Sequence, residues 1–128
     1  MHVGDIISWQ RTFTDDNVHH FSQISGDAGS HHVRPDAQGR VMVHGLLTAT
    51  LPTKIGGDLN FIAREMTFQF HRPVFVGDTV RCDVTITAWE PAEQSTRMSA
   101  QWVCRNQDGK EVMTGQAHGV IRSPLEAG

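Results

Sequence analysis

Cysteine is scarce in this chain. Only Cys82 and Cys104 occur, in no Cys-x-x-Cys pair and beside no histidine, which excludes a zinc knuckle. Both fall on the apolar side of alternating runs and read as buried free thiols of a reduced compartment, with the cytoplasm as the expected location. Long hydrophobic runs are lacking too. None approaches the roughly 20 residues needed to span a bilayer, and Met1–Gln10 shows no basic start followed by an apolar core, so neither a membrane span nor a signal peptide is expected. Positive charge is in short supply: 11 Lys and Arg against 14 Asp and Glu leave a formal charge of −3 and no basic footprint for nucleic acid. With no repeat, linker or low-complexity tract, the 128 residues read as one soluble domain, 1–128.

Histidine, by contrast, is plentiful. The stretch SQISGDAGSHHVRPDAQGRVMVHGLL, residues 22–47, sets the Asp27 carboxylate and three imidazoles among glycines. A metal site, an acid–base pair and a merely polar loop are the three readings it invites. Adjacent histidines on a helix point about 100° apart, and no His-x-x-x-His or His-x-x-Glu spacing occurs, so no metal is expected. His19 and His20 read as solvated. His118, alternating with the apolar face of the last strand, reads as half-buried.

Periodicity supplies the elements. TDDNVHHFSQIS is a helix with Thr14 as N-cap, Asp15 and Asp16 at the positive end of the dipole, an apolar stripe of Val18, Phe21 and Ile24, and Gly26 as a left-handed C-cap. VHGLLTATLPTKI, Val43 to Ile55, is apolar nearly all round and predicts a buried helix, kinked or ended early at Pro52 and terminated by Gly56 and Gly57. Four strands follow. Met66, Phe68 and Phe70 share one face of EMTFQFHR; Val80, Cys82, Val84, Ile86 and Ala88 share one of TVRCDVTITAW; Met98, Ala100, Trp102 and Cys104 share one of RMSAQWVCR. PVFVGD reads as a tight reversal, and NQDGKE as a hairpin turn into EVMTGQAHGVI. A short N-terminal strand over Asp5 to Phe13 completes an α+β order in which one-face-apolar strands wrap the apolar helix. Such a sheet leaves its edges open, so pairing with a second copy is expected.

FSQISGDAGSHH followed by GRVMVHGLL resembles the MaoC-like, (R)-specific enoyl-CoA hydratase and dehydratase family, and FQFHRPVFVGDTV is similar to that family's strand and Pro–Gly turn. The likeness runs from about Val18 to Val120. It implies a hot-dog fold, a long buried helix wrapped by a curved antiparallel sheet. It also implies reversible hydration or dehydration of an acyl thioester carried by coenzyme A or a carrier protein. By the same resemblance Asp27 and His32, five residues apart, are the catalytic pair, Gly45 N–H of the His44–Gly45 helix start is the oxyanion donor, and the Thr50 hydroxyl supports Asp27. His44, His31 and Leu46 are the expected substrate-binding neighbours.

Elementary chemistry agrees with those roles. Adding water across an α,β-unsaturated thioester needs a base for water, an acid for Cα and donors for the charge growing on the thioester oxygen. A carboxylate with an imidazole supplies the first two, and a helix-start amide the third. No metal or redox cofactor is required. The chain departs from the family in carrying Gly29-Ser30 where relatives have Asn-Pro, which makes a more flexible turn or a different hydrogen-bond network the expectation and His31 a rival for His32. It also sets Asp27 and His44 only 17 positions apart. Relatives insert roughly two more helical turns there, so the short 33–42 loop predicts an altered acyl pocket, closed by a partner subunit. The expected assembly is a homodimer or larger homo-oligomer. A hot-dog thioesterase, and a non-catalytic acyl-thioester-binding partner subunit, are the rival readings.

Overall fold

The first helix forms where its caps dictate. In the computed structural model, which describes residues 1–122, α1 spans Asp15–Ser25. The Thr14 side chain accepts from Asn17 N–H while the Asn17 side chain accepts from Thr14 N–H, and Gly26 closes the helix at φ 76°. Val18 is buried, but Ile24 is 86% exposed, so the apolar stripe is shorter than its spacing predicted. The last six residues of the expected domain lie outside the described residues.

A five-stranded antiparallel sheet is the largest element of the fold. β1 (Ile6–Thr12), β2 (Phe61–Phe70), β3 (Thr79–Pro91), β4 (Ser95–Arg105) and β5 (Glu111–Arg122) stand in the order β1-β3-β4-β5-β2. Alternation places Val80, Cys82, Val84 and Ile86 of β3, and Met98, Ala100, Trp102 and Cys104 of β4, on the buried face, as their spacing predicted. Register slips between Ile86 and Ala88, between Ala63 and Glu65, and between Cys104 and Arg105 bend the sheet. Past the first slip Trp89, opposite Met98, continues the inward face instead of Ala88. His118 likewise turns outward, its Nδ1 2.7 Å from Ser99 Oγ, and is exposed rather than half-buried. Cys82 and Cys104 pair directly across β3 and β4 as free, fully buried thiols. Their mutual hydrogen bond and burial push the Cys82 pKa up, which keeps the sulfur a thiol.

The helix wrapped by this sheet runs in two pieces after the single turn α2 (Ser30–Val33): α3 (Gly45–Thr48) and α4 (Thr50–Asp58). The interruption at Ala49 corrects the expectation of one helix kinked at Pro52. Proline lacks an N–H and crowds the carbonyl four residues back, that of Thr48, so the break falls ahead of it and Pro52 sits harmlessly in the first turn of α4. Gly56 and Gly57 lie inside α4 rather than ending it; the left-handed residue after the helix is Asn60, φ 56°. Leu51, Pro52 and Ile55 are buried while Thr53 and Lys54 face solvent, so α4 is amphipathic rather than apolar all round. It packs on β1, β2 and β3. No helix among the described residues is long and apolar enough to cross a membrane.

Candidate active site

Asp27 emerges one residue beyond the Gly26 cap, where Ser25 Oγ accepts from its N–H at 3.0 Å. Its Oδ1 accepts from Gly29 N–H at 3.1 Å, and His32 N–H donates to Gly29 O at 2.9 Å. Those bonds tighten the turn that carries Gly29-Ser30 in place of Asn-Pro. The carboxylate is exposed. The Gly29 bond holds its pKa below 3.8, opposed by partial desolvation and reinforced by attraction to His32, His44 and His31. Asp27 is therefore a carboxylate at neutral pH.

His32 lies on α2 and is 6% exposed. A carbonyl can only accept, so the 2.7 Å contact with Met42 O fixes a proton on His32 Nδ1. Nε2 is thereby left as the working nitrogen, and it stands 3.7 Å from Asp27 Oδ2. That gap is too long for a good hydrogen bond and suits two groups converging on one water. His31 is exposed and packs against His32, ring centroids 3.8 Å apart, with no such fixing contact. Of the two, His32 is the nitrogen aimed at Asp27.

His44, 2% exposed, caps α3 and secures the loop from beneath. Its Nε2 donates to Asp27 O at 2.9 Å, with Ser22 Oγ 3.2 Å from the same nitrogen, and its ring stacks on His32 at 3.7 Å and 15°. Nδ1 is buried without a partner among the described residues. Ligand atoms of Asp27, His32 and His44 come within 4.8 Å of one another, yet the donor set suits a metal poorly. Stacked, near-parallel imidazoles cannot both aim in-plane lone pairs at one ion, and His44 Nε2 already carries a proton for Asp27 O.

Gly45 opens α3, and no group among the described residues accepts from its N–H. The Phe70 ring covers its Cα so closely that an added Cβ would lie 2.8 Å from the ring. Phe70 is thus a site residue that sequence reasoning placed only on a strand face. Gly45, His31, His32, Thr48 and Phe70 share a cleft of about 380 Å³ that Arg72 and Val112 also line. A second cavity of about 210 Å³, between α4 and the sheet, is walled mainly by Ile55, Phe61, Met66, Met98 and Trp102 and holds none of the site residues.

Two expected site residues are placed elsewhere. Thr50 does not support Asp27; its hydroxyl donates to Leu47 O at 2.5 Å, because the break at Ala49 makes Thr50 the start of a new helix with an upstream carbonyl to satisfy. Leu46 is 61% exposed and does not line the cleft, because its neighbour Leu47 takes the buried position on α3. Ser22 and the Met42 carbonyl hold the site but gave no signal beyond lying near it in the chain.

The Gly29–Ser30 turn yields a stability prediction. Ser30 is the first residue of α2, its N–H has no partner among the described residues, and Gly29 is extended at φ −54°, ψ 149°. Proline fits such a position. Ser30→Pro is expected to stabilise the fold by about 0.4–1 kcal/mol, read from the urea midpoint; destabilisation would show that the Ser30 amide is needed.

Comparisons with known proteins place this geometry in context. The family model described as FAS1-like, dehydratase domain region matches residues 1–115. The chain is 29% identical over 124 residues to the (R)-specific enoyl-CoA hydratase of Rhodospirillum rubrum, covering 89% of this chain and 83% of that one. It is 26% identical over 128 residues to the mitochondrial 3-hydroxyacyl-(acyl-carrier-protein) dehydratase FERN of Solanum lycopersicum, covering 94% and 78%. Among solved structures, the (R)-hydratase from A. caviae involved in PHA biosynthesis superposes with a TM-score of 0.83 at 28% identity, over 96% of this chain and 98% of that one.

Proposed function

This chain belongs to the FAS1-like, dehydratase domain region family, and on that premise we propose that it is a hydro-lyase that reversibly hydrates an α,β-unsaturated acyl thioester. The observation that carries the reading is the pairing of Asp27 Oδ2 with His32 Nε2 at 3.7 Å beside the unpartnered Gly45 N–H. The similarity to the (R)-specific enoyl-CoA hydratase and to the acyl-carrier-protein dehydratase supports the same reaction class.

In the hydration direction Asp27, held ionised, takes a proton from water as the hydroxide oxygen bonds to C3. The C2=C3 electrons shift toward the thioester carbonyl, where Gly45 N–H stabilises the developing oxyanion. Protonated His32 then delivers its Nε2 proton to C2, and proton transfer from Asp27 to His32 restores the pair. Every proton is accounted for without a metal or redox group, and the carrier, coenzyme A or a carrier protein, is part of the substrate. His44 fixes Asp27 through its main-chain carbonyl and backs the His32 ring.

The proposed assembly is a homodimer or larger homo-oligomer in the cytoplasm, where buried thiols persist reduced. β1 and β2 are the sheet edges, and β2 leaves Ile62, Met66 and Phe70 exposed. A second copy, or a different partner subunit, covering that strand would also close the cleft over Phe70.

The expected result is that purified protein consumes the absorbance of a trans-2-enoyl-CoA without releasing free thiol, and in heavy water leaves deuterium at C2. Thiol release with the enoyl group intact would make it a thioesterase instead. Binding without any turnover would make it a carrier-binding subunit.

A further inference from the structure

The cleft wall is electrostatically lopsided. Its lining includes Arg72 and three imidazoles, His31, His32 and His71, but no aspartate or glutamate; the Asp27 carboxylate stands outside the lining, 3.7 Å from His32 Nε2. Elsewhere on the described surface, cations are commonly neutralised: Arg40 by Asp36, Lys54 by Asp58, Arg81 by Asp83 and Arg97 by Glu90. Among the described residues Arg72 has no carboxylate partner. One of its five N–H donors is spent on the Glu111 main-chain carbonyl at 2.9 Å, and the Glu111 carboxylate is itself engaged by Arg105 at 3.6 Å. The guanidinium is therefore anchored to the main chain, and its remaining donors have no acceptor among the described residues.

Its place relative to the reacting atoms is short-range. Phe70, whose ring covers Gly45, lies two residues before Arg72, a stretch that spans at most about 7 Å of chain. Other cations near the site stand apart from Arg72. His31 and Met42 are shared with a separate groove of about 250 Å³ that contains Arg34 and Arg40 and excludes Arg72.

We propose that Arg72 receives a carboxylate at the far end of the acyl group, so that the preferred substrate is the monothioester of an unsaturated or 3-hydroxy dicarboxylic acid. Planar guanidinium donors match a carboxylate in bidentate fashion. The inference rests on the hydro-lyase reading and adds the class of acyl group.

The test compares crotonyl and glutaconyl thioesters, which differ by one terminal carboxylate, each carried on coenzyme A and on N-acetylcysteamine, which has no phosphate. The wild-type kcat/KM is expected to favour glutaconyl by about 10- to 100-fold on both carriers. Arg72→Gln should erase that ratio, and Arg72→Lys should retain part of it. A wild-type enzyme that hydrates both with no preference overturns the inference while leaving the hydro-lyase reading intact. So does an Arg72→Gln loss equal for both acyl groups on coenzyme A and absent on N-acetylcysteamine, which would assign Arg72 to a carrier phosphate. Hydration of neither thioester overturns both readings.

Discussion

Asp27→Asn and His32→Gln are each expected to lower kcat by about 10²- to 10⁴-fold with the fold intact. Asparagine keeps the shape of Asp27 and the acceptor for Gly29 N–H, but it cannot take a proton from water. Glutamine can still hydrogen-bond, but its amide has no nitrogen that gives and takes a proton near neutral pH. Because the two groups act on one water, the double variant should be scarcely slower than the worse single variant. Single-turnover rates with an enoyl thioester, alongside circular dichroism of each variant, provide the check; near-wild-type rates in both would remove the pair from the mechanism. The pH dependence has a definite sign. A carboxylate whose folded pKa lies below its unfolded value of about 3.8 contributes stability above that pH and loses it as pH falls through the lower folded value. Protonation of Asp27 itself should therefore cost neither stability nor rate until the solution is more acid than about 3.8.

The second large effect is on the fold. Gly115 of β5 stands opposite Phe68 of β2 and Trp102 of β4. An added Cβ would drive into the main-chain oxygen of Thr67 and the buried Trp102 indole. Neither can swing aside, since one is backbone and the other is 3% exposed and packed against Phe68. Gly115→Ala is expected to cost roughly 2–4 kcal/mol in urea unfolding. Activity should weaken with it, because the β2–β5 register delivers Phe70 to Gly45. A loss below about 0.5 kcal/mol would mean that β2 can slide outward at little cost.

How much of this was legible in the chain depends on how local the causes are. Thr14, Asn17 and Gly26 fix α1 by contacts within a few residues, so its limits could be read directly. Alternation gave the inner faces of β3 and β4 up to the bulge after Ile86, where one extra residue reassigns Trp89 inward. The start of β2 was missed because Phe61–Arg64 does not alternate and the slip between Ala63 and Glu65 hides its period. The approach of Asp27 and His32 was legible because both lie within one short loop. Thr50 was misassigned because the helix break at Ala49 depends on a proline three residues later, and Arg72 was not singled out because only the sheet order brings it to the cleft.

That break divides labour within what would otherwise be one rod. α3 carries Gly45 and Thr48 to the cleft, whereas α4 contributes Leu51, Pro52 and Ile55 to the core. Reaction geometry and structural integrity are thus encoded on separate segments joined at Ala49. Substrate preference can drift through changes on α3 and the loop before it while α4 holds the scaffold constant, which gives the chain a modular route to new acyl groups.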